Sequence, residues 1–342
     1  MKLISFVIPC FNSAEYMSNC IDSILRCESK LDNIEILVVD DGSTKDNTYD
    51  IAKSYEEKYK DVVRAIHKEN GGHGSVINVG IKEAKGMYLK VVDSDDKVDK
   101  DVVYDLLNAI DINNKSNNEV DLYITDFVYD KVDKINKKVM EYSKYLKENT
   151  VLTWEDTKKF EVGNYLLMHS LMYKTSLLRE HGISMPEKTF YEDNVFAYKP
   201  LQYVKTLYYI HKTLYYYYIG RTDQSVNQDI MITRLSQQYG ITRVMLYEVD
   251  LKNVRPSLLR DYMASYMQIV MGITCSLSLV SGDEKWIVEK DKLWDELKEK
   301  DIWTYNKLKS NIIGRALDFR SKIGRVFVLF IYKVAQKFVG FN

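Results

Sequence analysis

In the stretch YLKVVDSDD, residues 88–96, an apolar strand pattern runs directly into a cluster of carboxylates. Asp93, Asp95 and Asp96 place three like charges within four positions. Carboxylates held this close raise one another's pKa and destabilise a fold unless a cation neutralises them. Oxygen ligands of this kind suit Mg²⁺ or Mn²⁺, which often share their ligands with a diphosphate. The stretch therefore predicts a buried strand that ends at a divalent-metal site.

Strand and helix patterns alternate before this stretch. Short apolar runs bounded by polar turns predict strands over LISFVIP (3–9), IEILVVDDGS (34–43) and VVRAIHKEN (62–70). Helical patterns lie between them, from about Ala14 to Cys27, over residues 46–59 and over SVINVGIKEAKG (75–86). This order indicates an α/β fold with a mostly parallel sheet flanked by helices. Ligands bind beyond the carboxyl ends of such strands, so DDGS and DSDD are expected to converge on one crevice.

Composition limits the partners and the compartment. The 342 residues include 48 Lys or Arg and 49 Asp or Glu, which gives no overall electrostatic reason to bind nucleic acid. Four cysteines show neither a paired framework nor metal-ligand spacing, which fits a reducing cytosol. The N-terminus is interpreted as a strand, not a signal peptide. No stretch reaches the roughly 20 uninterrupted apolar residues of a spanning helix.

The chain divides into three predicted regions. Residues 1–227 form the α/β domain, residues 228–304 a mainly helical C-terminal domain, and residues 305–342 a basic amphipathic tail. Within the first region, Asn- and Lys-rich segments around VDLYITDFVYD (120–130) predict loops and an edge hairpin. An apolar helical face after residue 228 would permit a homodimer.

The tail carries eight Lys or Arg residues and one acidic residue, Asp318, mixed with bulky apolar side chains. Such a composition suits an interfacial helix on an anionic membrane surface. A helix packed on the protein body or on a second subunit is the alternative. The tail therefore predicts either a cytoplasmic protein peripheral to the inner membrane face or a packing element.

Four motifs together resemble one enzyme family. They are FVIPCFNSAEYMSNCIDSIL (6–25), EILVVDDGSTKDNT (35–48), ENGGHGSVINVGIKEAKGMYLKVVDSDD (69–96) and YEDNVF (191–196). In this order, over about residues 3–225, the chain resembles the family 2 glycosyltransferases. The resemblance implies a GT-A fold and a nucleotide-sugar donor.

The resemblance also implies a donor site. Asp41 corresponds to the carboxylate that contacts the base, and Asp93 and Asp95 correspond to the family's DXD pair as metal ligands, with Asp96 supporting them. The further donor-site candidates are Pro9, Phe11, Asn12, Asp40, Gly72, His73, Ser94 and Arg221. Alternatives remain open: the aspartates after the second strand suit a helix cap, His73 suits a surface loop, and Arg221 suits a surface salt bridge. The family's commoner form has an Arg where this chain has Ile77.

Within YEDNVF, the resemblance assigns Asp193 as catalytic base and Glu192 as its orienting neighbour. A carboxylate within hydrogen-bond reach can take the proton of an acceptor hydroxyl as the new bond forms. The rival interpretation is a pair of acidic residues at a helix N-terminus. His211 as a metal ligand, and His169 and Trp154 as acceptor contacts, are further hypotheses, with core packing as the alternative for each.

The sequence thus predicts an inverting glycosyltransferase that depends on Mn²⁺ or Mg²⁺. It would move one hexose or N-acetylhexosamine from a nucleotide donor, with UDP favoured, to a glycan or lipid-linked acceptor in cell-surface polysaccharide synthesis. One rival is a catalytically inactive nucleotide-sugar-binding scaffold of a glycan assembly complex. Another is a receiver-like phosphoacceptor domain, which would leave DSDD and YED unexplained.

Overall fold

The computed structural model describes residues 1–131, 137–161, 163–219 and 227–339. The chain forms two units, the first built from Met1–Phe160 with Leu166–Ile219 and the second from Glu161–Tyr165 with Gly220–Asn342. The three regions predicted from the sequence remain a prediction.

The first unit is organised around one mixed sheet. Its strands are β1 Ile4–Cys10, β2 Ile34–Asp40, β3 Val63–His67, β4 Tyr88–Val91, β5 Lys97–Val98, β6 Leu122–Lys131, β7 Lys138–Met140, β8 Val151–Thr153, β9 Leu171–Lys174 and β10 Thr206–Ile219. Among the described residues these strands follow the order β3-β2-β1-β4-β9-β6-β10-β5, with β7 beside β6 and β8 beside β10. Strands β1 to β4 pair in parallel, whereas β9 pairs with β4 and with β6 in antiparallel fashion.

Helices of the first unit connect these strands. They are α1 Met17–Leu25, α2 Thr48–Lys58, α3 His73–Glu83, α4 Lys100–Lys115, α5 Thr175–Glu180 and α6 Asp193–Tyr198. Short 3₁₀ helices cover Glu28–Asn33, Trp154–Asp156, Met168–Ser170 and Lys199–Tyr203. The predicted α/β alternation is confirmed, but α3 begins at residue 73 instead of 75. His73 therefore lies in the first turn of a helix and not in a surface loop.

Close packing fixes α3 against the centre of the sheet. Every residue of β1 and β2 is buried, which explains their continuous apolar runs. A Cβ at Gly80 would lie 2.6 Å from Val7 Cγ2, so only glycine lets α3 approach β1 this closely. The first turn of α3 is thereby held near the carboxyl ends of β1 and β2.

The expectation of an edge hairpin around residues 120–130 was wrong in its position. Strand β6 does pair with β7, but it lies between β9 and β10 inside the sheet. Its first seven residues are buried, because LYITDFV is apolar or uncharged on both faces except for Asp126. Asp126 is tolerated there because it accepts a 2.7 Å hydrogen bond from the Tyr209 hydroxyl.

The second unit is helical, as predicted. Its helices are α7 Gln228–Thr233, α8 Leu235–Tyr247, α9 Ser257–Val280, α10 Glu284–Lys300, α11 Ile302–Leu308, α12 Ile312–Leu317 and α13 Lys322–Val339, with a 3₁₀ turn at Leu251–Asn253. Among the described residues, α9 alone has the length and apolar composition to cross a membrane. However, 72% of its apolar 18-residue stretch is buried within the protein. Such burial is typical of the central helix of a bundle.

Candidate active site

The carboxyl ends of three neighbouring parallel strands bring the predicted carboxylates to one edge of the sheet. Cys10, the last residue of β1, pairs with Asp40, the last residue of β2. Strand β4 lies on the other side of β1 and ends at Val91, two residues before Asp93. The two acidic motifs therefore leave the sheet at the same edge, as the parallel order predicted.

Asp41 anchors the glycine turn that begins α3. Its carboxylate is 3% exposed and accepts hydrogen bonds from the Gly71 amide at 2.9 Å, the Gly72 amide at 2.7 Å and Lys68 Nζ at 2.7 Å. Gly72 has a φ of +82°, a conformation that glycine adopts without strain. Asp41 thus joins the end of β2 to the N-terminus of α3, and its contact with a nucleobase stays a prediction.

The other residues expected around the nucleobase shape the loop beside Asp41. Asp40 is fully buried and binds His67 Nδ1 at 2.6 Å. Asn12 has a φ of +50°, and its Oδ1 accepts hydrogen bonds from the amides of Thr44 and Lys45 at 3.2 and 3.0 Å. Pro9 is buried in β1, whereas the Phe11 ring is 51% exposed. The exposed ring is free to stack on a planar ligand.

Strand β10 fixes the acidic turn after β4. The Tyr215 hydroxyl accepts a hydrogen bond from the Asp93 amide at 3.0 Å and donates one to Asp96 Oδ2 at 2.6 Å. The Tyr218 amide donates to Asp96 Oδ1 at 2.7 Å. Ser94 Oγ donates to Ser13 Oγ at 3.0 Å. The turn is therefore held from both sides.

This turn concentrates negative charge. Burial, together with the charges of Asp93 and Asp95, raises the pKa of Asp96 well above its ordinary value. For Asp93, burial raises the pKa, but the hydrogen bond and charge of His73, together with the charges of His169 and Lys90, leave that pKa lowered. A bound cation would relieve the repulsion that makes ionised Asp96 costly.

The geometry of the turn fits a divalent metal. Asp93, Asp96 and His169 each offer a ligand atom, and these atoms lie within 4.8 Å of one another. His169 Nδ1 is buried without a hydrogen-bond partner among the described residues, and burial lowers the pKa of His169 to about 4, which keeps the ring in its neutral, metal-binding form. Asp95 is half-buried in the turn between the two aspartates. The structure thus adds Asp96 and His169 to the residues that could hold the ion.

His73 connects this turn to the YEDNVF segment. Its Nε2 lies 2.9 Å from Asp93 Oδ1, and its Nδ1 lies 2.7 Å from Glu192 Oε1. Burial lowers the pKa of His73, but the hydrogen bonds and charges of the two carboxylates raise that pKa well above its ordinary value. The two predicted acidic sites are therefore parts of one site.

Asp193 is the first residue of α6 and is half-buried. Burial and the adjacent Glu192 charge raise the pKa of Asp193 to about 7, although His73 opposes the shift. Asn194 Nδ2 donates to Asp193 Oδ1 at 3.1 Å. A general base works best when its pKa lies near the working pH, and this carboxyl meets that condition.

Other predicted contacts are placed elsewhere or lie outside the described residues. His211 Nε2 lies 3.2 Å from Glu141 and 3.7 Å from Asp126, apart from the metal-ligand group. Trp154 is 2% exposed and packs in the core. His169 belongs to the metal-ligand group described above, and its ring stacks on Phe127 and on Tyr217. Arg221 falls outside the described residues.

Lys90 was missed by the sequence analysis. It is fully buried in β4, and its Nζ donates to the backbone oxygens of Met168 and Leu171, both at 3.1 Å, and to that of His169. Burial lowers the pKa of Lys90 to about 7. A lysine inside the apolar run YLKVV was the available signal, because a buried cation must find oxygen partners.

The sequence matches the model of a known protein family. The model of the family described as "Glycosyl transferase family 2" matches residues 5–176, half of the chain. The chain belongs to glycosyl transferase family 2.

Bacterial relatives are similar to about two thirds of the chain. The putative glycosyltransferase EpsH of Bacillus subtilis is 28% identical over 226 residues, which are 63% of this chain and 60% of EpsH. The poly(ribitol-phosphate) beta-glucosyltransferase of Bacillus spizizenii is 32% identical over 227 residues, which are 66% of this chain and 33% of that protein. The chain spans between 25% and 60% of the length of the first curated relatives.

Solved structures match almost the whole chain. The S. aureus TarS fragment 1–349 in complex with UDP-GlcNAc has a TM-score of 0.71 and 20% identity, and the match covers 98% of this chain and 92% of that one. The Pyrobaculum calidifontis mannosyltransferase PcManGT, in complex with GDP-Man and Mn²⁺, has a TM-score of 0.52 and 14% identity, with 96% and 87% covered. These likenesses confirm the expected GT-A fold with a helical C-terminal region.

Proposed function

We propose that the protein is an inverting, metal-dependent glycosyltransferase that moves one sugar from a nucleotide diphosphate to a hydroxyl of a glycan or lipid-linked acceptor. The observation that carries the proposal is the joining of the carboxylate turn at residues 93–96 to Glu192 and Asp193 through His73. A donor site and a base must lie side by side for a direct displacement, and the link through His73 supports such an arrangement.

UDP is the favoured nucleotide of the donor, and a hexose or N-acetylhexosamine is the favoured sugar. Support comes from the TarS fragment, which is described in complex with UDP-GlcNAc, and from the relative named as a beta-glucosyltransferase. In this chain Phe11 is exposed at the end of β1, beside the loop that Asn12 and Asp41 organise. We propose that this loop holds the nucleobase.

The proposed chemistry is a single displacement. The acceptor oxygen forms a bond to the anomeric carbon while the bond from that carbon to the diphosphate oxygen breaks, and the acceptor proton passes to an Asp193 oxygen. The pKa of about 7 leaves a substantial ionised fraction of Asp193 at neutral pH to receive this proton. Attack from the side opposite the leaving group inverts the anomeric centre.

A divalent ion completes the proposed donor site. Asp93 and Asp96, with His169 and the adjacent Asp95, would hold Mn²⁺ or Mg²⁺. When bound, such an ion neutralises the charge that develops on the departing nucleoside diphosphate. The Tyr215 and Tyr218 hydrogen bonds keep Asp96 in place for this role.

For the acceptor, we propose a polymer or lipid-linked intermediate of the cell surface, reached from the cytoplasmic side. The first part of α13 presents Ile323, Val326, Phe327 and Phe330 to solvent. Their spacing of three and four residues places them on one helix face. The segment 322–339 contains four basic residues and no acidic one. An exposed apolar face on a basic segment suits the anionic surface of a membrane.

The test is release of UDP. The protein is incubated with Mn²⁺, a panel of UDP-sugars and a lipid-linked or polyol-phosphate acceptor, and UDP is measured. We expect acceptor-stimulated release for one donor and its loss in a chelator. Metal-dependent binding without release in any combination would favour the scaffold alternative.

A further inference from the structure

Two carboxylates from distant parts of the chain contact the two nitrogens of one imidazole ring. Asp93 follows β4, Glu192 precedes α6, and His73 lies between them in the first turn of α3. Glu192 is 3% exposed. Because carboxylate oxygens accept hydrogen bonds, both ring nitrogens must donate, and the ring cannot satisfy both contacts with one proton.

Further hydrogen bonds connect α3 and the turn before it to the segment that precedes α6. The Lys188 amide donates to the Gly71 oxygen at 2.6 Å. The Asn78 side chain binds Met185 twice, donating to its oxygen at 3.0 Å and accepting from its amide at 2.7 Å. These contacts dock residues 185–188 on α3, but they end four residues before Glu192.

Two residues of the segment that leads to Glu192 are held in costly conformations. Lys188 and Tyr191 have φ angles of +52° and +72°, which are uncommon for residues with side chains. Such a segment keeps one geometry only when neighbouring contacts impose it. Glu192 makes such a contact, because its Oε1 lies 2.7 Å from His73 Nδ1 on α3. Glu192 Oε2 is buried and has no partner among the described residues.

We propose that His73 is a positioning residue for transfer: through Glu192 it holds the start of α6, and hence Asp193, at a fixed place beside the donor carboxylate Asp93. This inference rests on the proposed function. It assigns His73 to the geometry of the base and not to direct binding of a donor phosphate. The two roles differ in what they predict for turnover and for donor affinity.

Three substitutions separate these roles. His73→Ala removes both contacts. His73→Asn keeps a donor near the Nδ1 position, which faces Glu192, whereas His73→Gln keeps one near the Nε2 position, which faces Asp93. We expect His73→Ala to lower kcat for the donor about 100-fold, as small misplacements of reacting groups do, while KM for the donor stays within about threefold of wild type. His73→Asn should restore more of kcat than His73→Gln.

The matched control is His181→Ala. His181 is exposed and stacks on Tyr203 at 3.7 Å between ring centroids, and it has no part in the site. The control should keep kcat and KM. A His73→Ala variant with normal kcat but a donor KM raised tenfold or more would overturn the proposal and assign His73 to donor binding. Better rescue by His73→Gln than by His73→Asn would overturn it as well.

A second measurement does not depend on turnover. Hydrogen exchange of the amides in residues 191–196 should quicken in His73→Ala and stay unchanged in His181→Ala. Unchanged exchange in both variants would refute the positioning role. If the wild-type protein releases no UDP with any donor, the proposed function fails, and the exchange experiment still decides whether His73 orders the segment.

Discussion

At residue 193, burial and the charge of Glu192 raise the pKa of the carboxyl to about 7. An ordinary aspartate at neutral pH is a weak base, because it gains little by taking a proton. The neighbouring His73 limits the shift, so a substantial fraction of Asp193 stays ionised near pH 7. Burial and Glu192 raise the pKa of Asp193, and His73 lowers it, so the resulting pKa suits the proposed role as a base.

Asp193→Asn removes the base without changing the size of the side chain. We expect transfer to fall 10²- to 10⁴-fold, the range typical of a lost general base, while metal-dependent UDP affinity stays within about threefold. The matched control is Asp111→Asn, an aspartate on α4 whose side chain is 47% exposed and pairs with Lys115. Transfer near the wild-type rate in Asp193→Asn would show that another group takes the proton.

The pH dependence of turnover follows from the same carboxyl. Asp193 accepts a proton only when ionised, so turnover should fall as the pH drops through about 7 and level off above it. The measurement is kcat between pH 5 and 9 at saturating donor and metal. A rate that stays constant down to pH 5 would contradict the assignment.

At the scale of elements, α3 carries most of the organisation of the site. Asp41 holds its preceding glycine turn, Gly80 lets it approach β1, and His73 reaches both acidic segments. Gly74 sits where α3 meets the segment before α6, since a Cβ there would lie 2.2 Å from the Pro186 oxygen. The position of the proposed base relative to the sheet edge therefore depends on the first two turns of α3.

Gly74→Ala tests this contact. The added methyl group must displace Pro186, so we expect a loss of about 1–3 kcal/mol in the free energy of unfolding and a lower kcat. Gly240→Ala is the matched control, because Gly240 lies within α8 with open space around its Cβ. The control should be neutral or stabilising by up to about 1 kcal/mol. Denaturant unfolding and kcat are measured for both, and equal behaviour would contradict the packing argument.

For the molecule as a whole, much of the fold was predictable from local pattern. The apolar runs of β1, β2 and β4 stand out because both faces of these strands are buried. The interior position of β6 was not predictable, since pairing with β9 and β10 joins segments far apart in the chain.

The candidate site, like the fold, was predictable from the sequence only in part. Asp93, Asp95 and Asp193 stood out because their motifs are local. The bond between His73 and Glu192 spans 119 residues of sequence, and the approach of His169 to Asp96 depends on how β9 and β10 enter the sheet. Periodicity and spacing carry no information on such contacts, which arise only when the sheet is assembled.

The exposed face of α13 yields a prediction for the whole molecule. Replacing Phe327 and Phe330 together by Asp adds charge to side chains that are 47% and 65% exposed, so the fold should be kept. We expect the variant to lose binding to anionic vesicles in a flotation assay while UDP release with a water-soluble acceptor continues. Ile112→Asp, an exposed apolar residue on α4, is the control. Unaltered vesicle binding would make the face a packing surface for protein.

The carboxylate turn after β4 is proposed to bind a nucleoside diphosphate together with a divalent ion. The most direct measurement is calorimetric titration of the full chain with UDP, dTDP and GDP, each with Mn²⁺ and with chelator. We expect one diphosphate, UDP by preference, to bind with Mn²⁺, and we expect Asp93→Ala to abolish this binding. Equal affinity in chelator, or no binding of any of the three, would contradict this expectation.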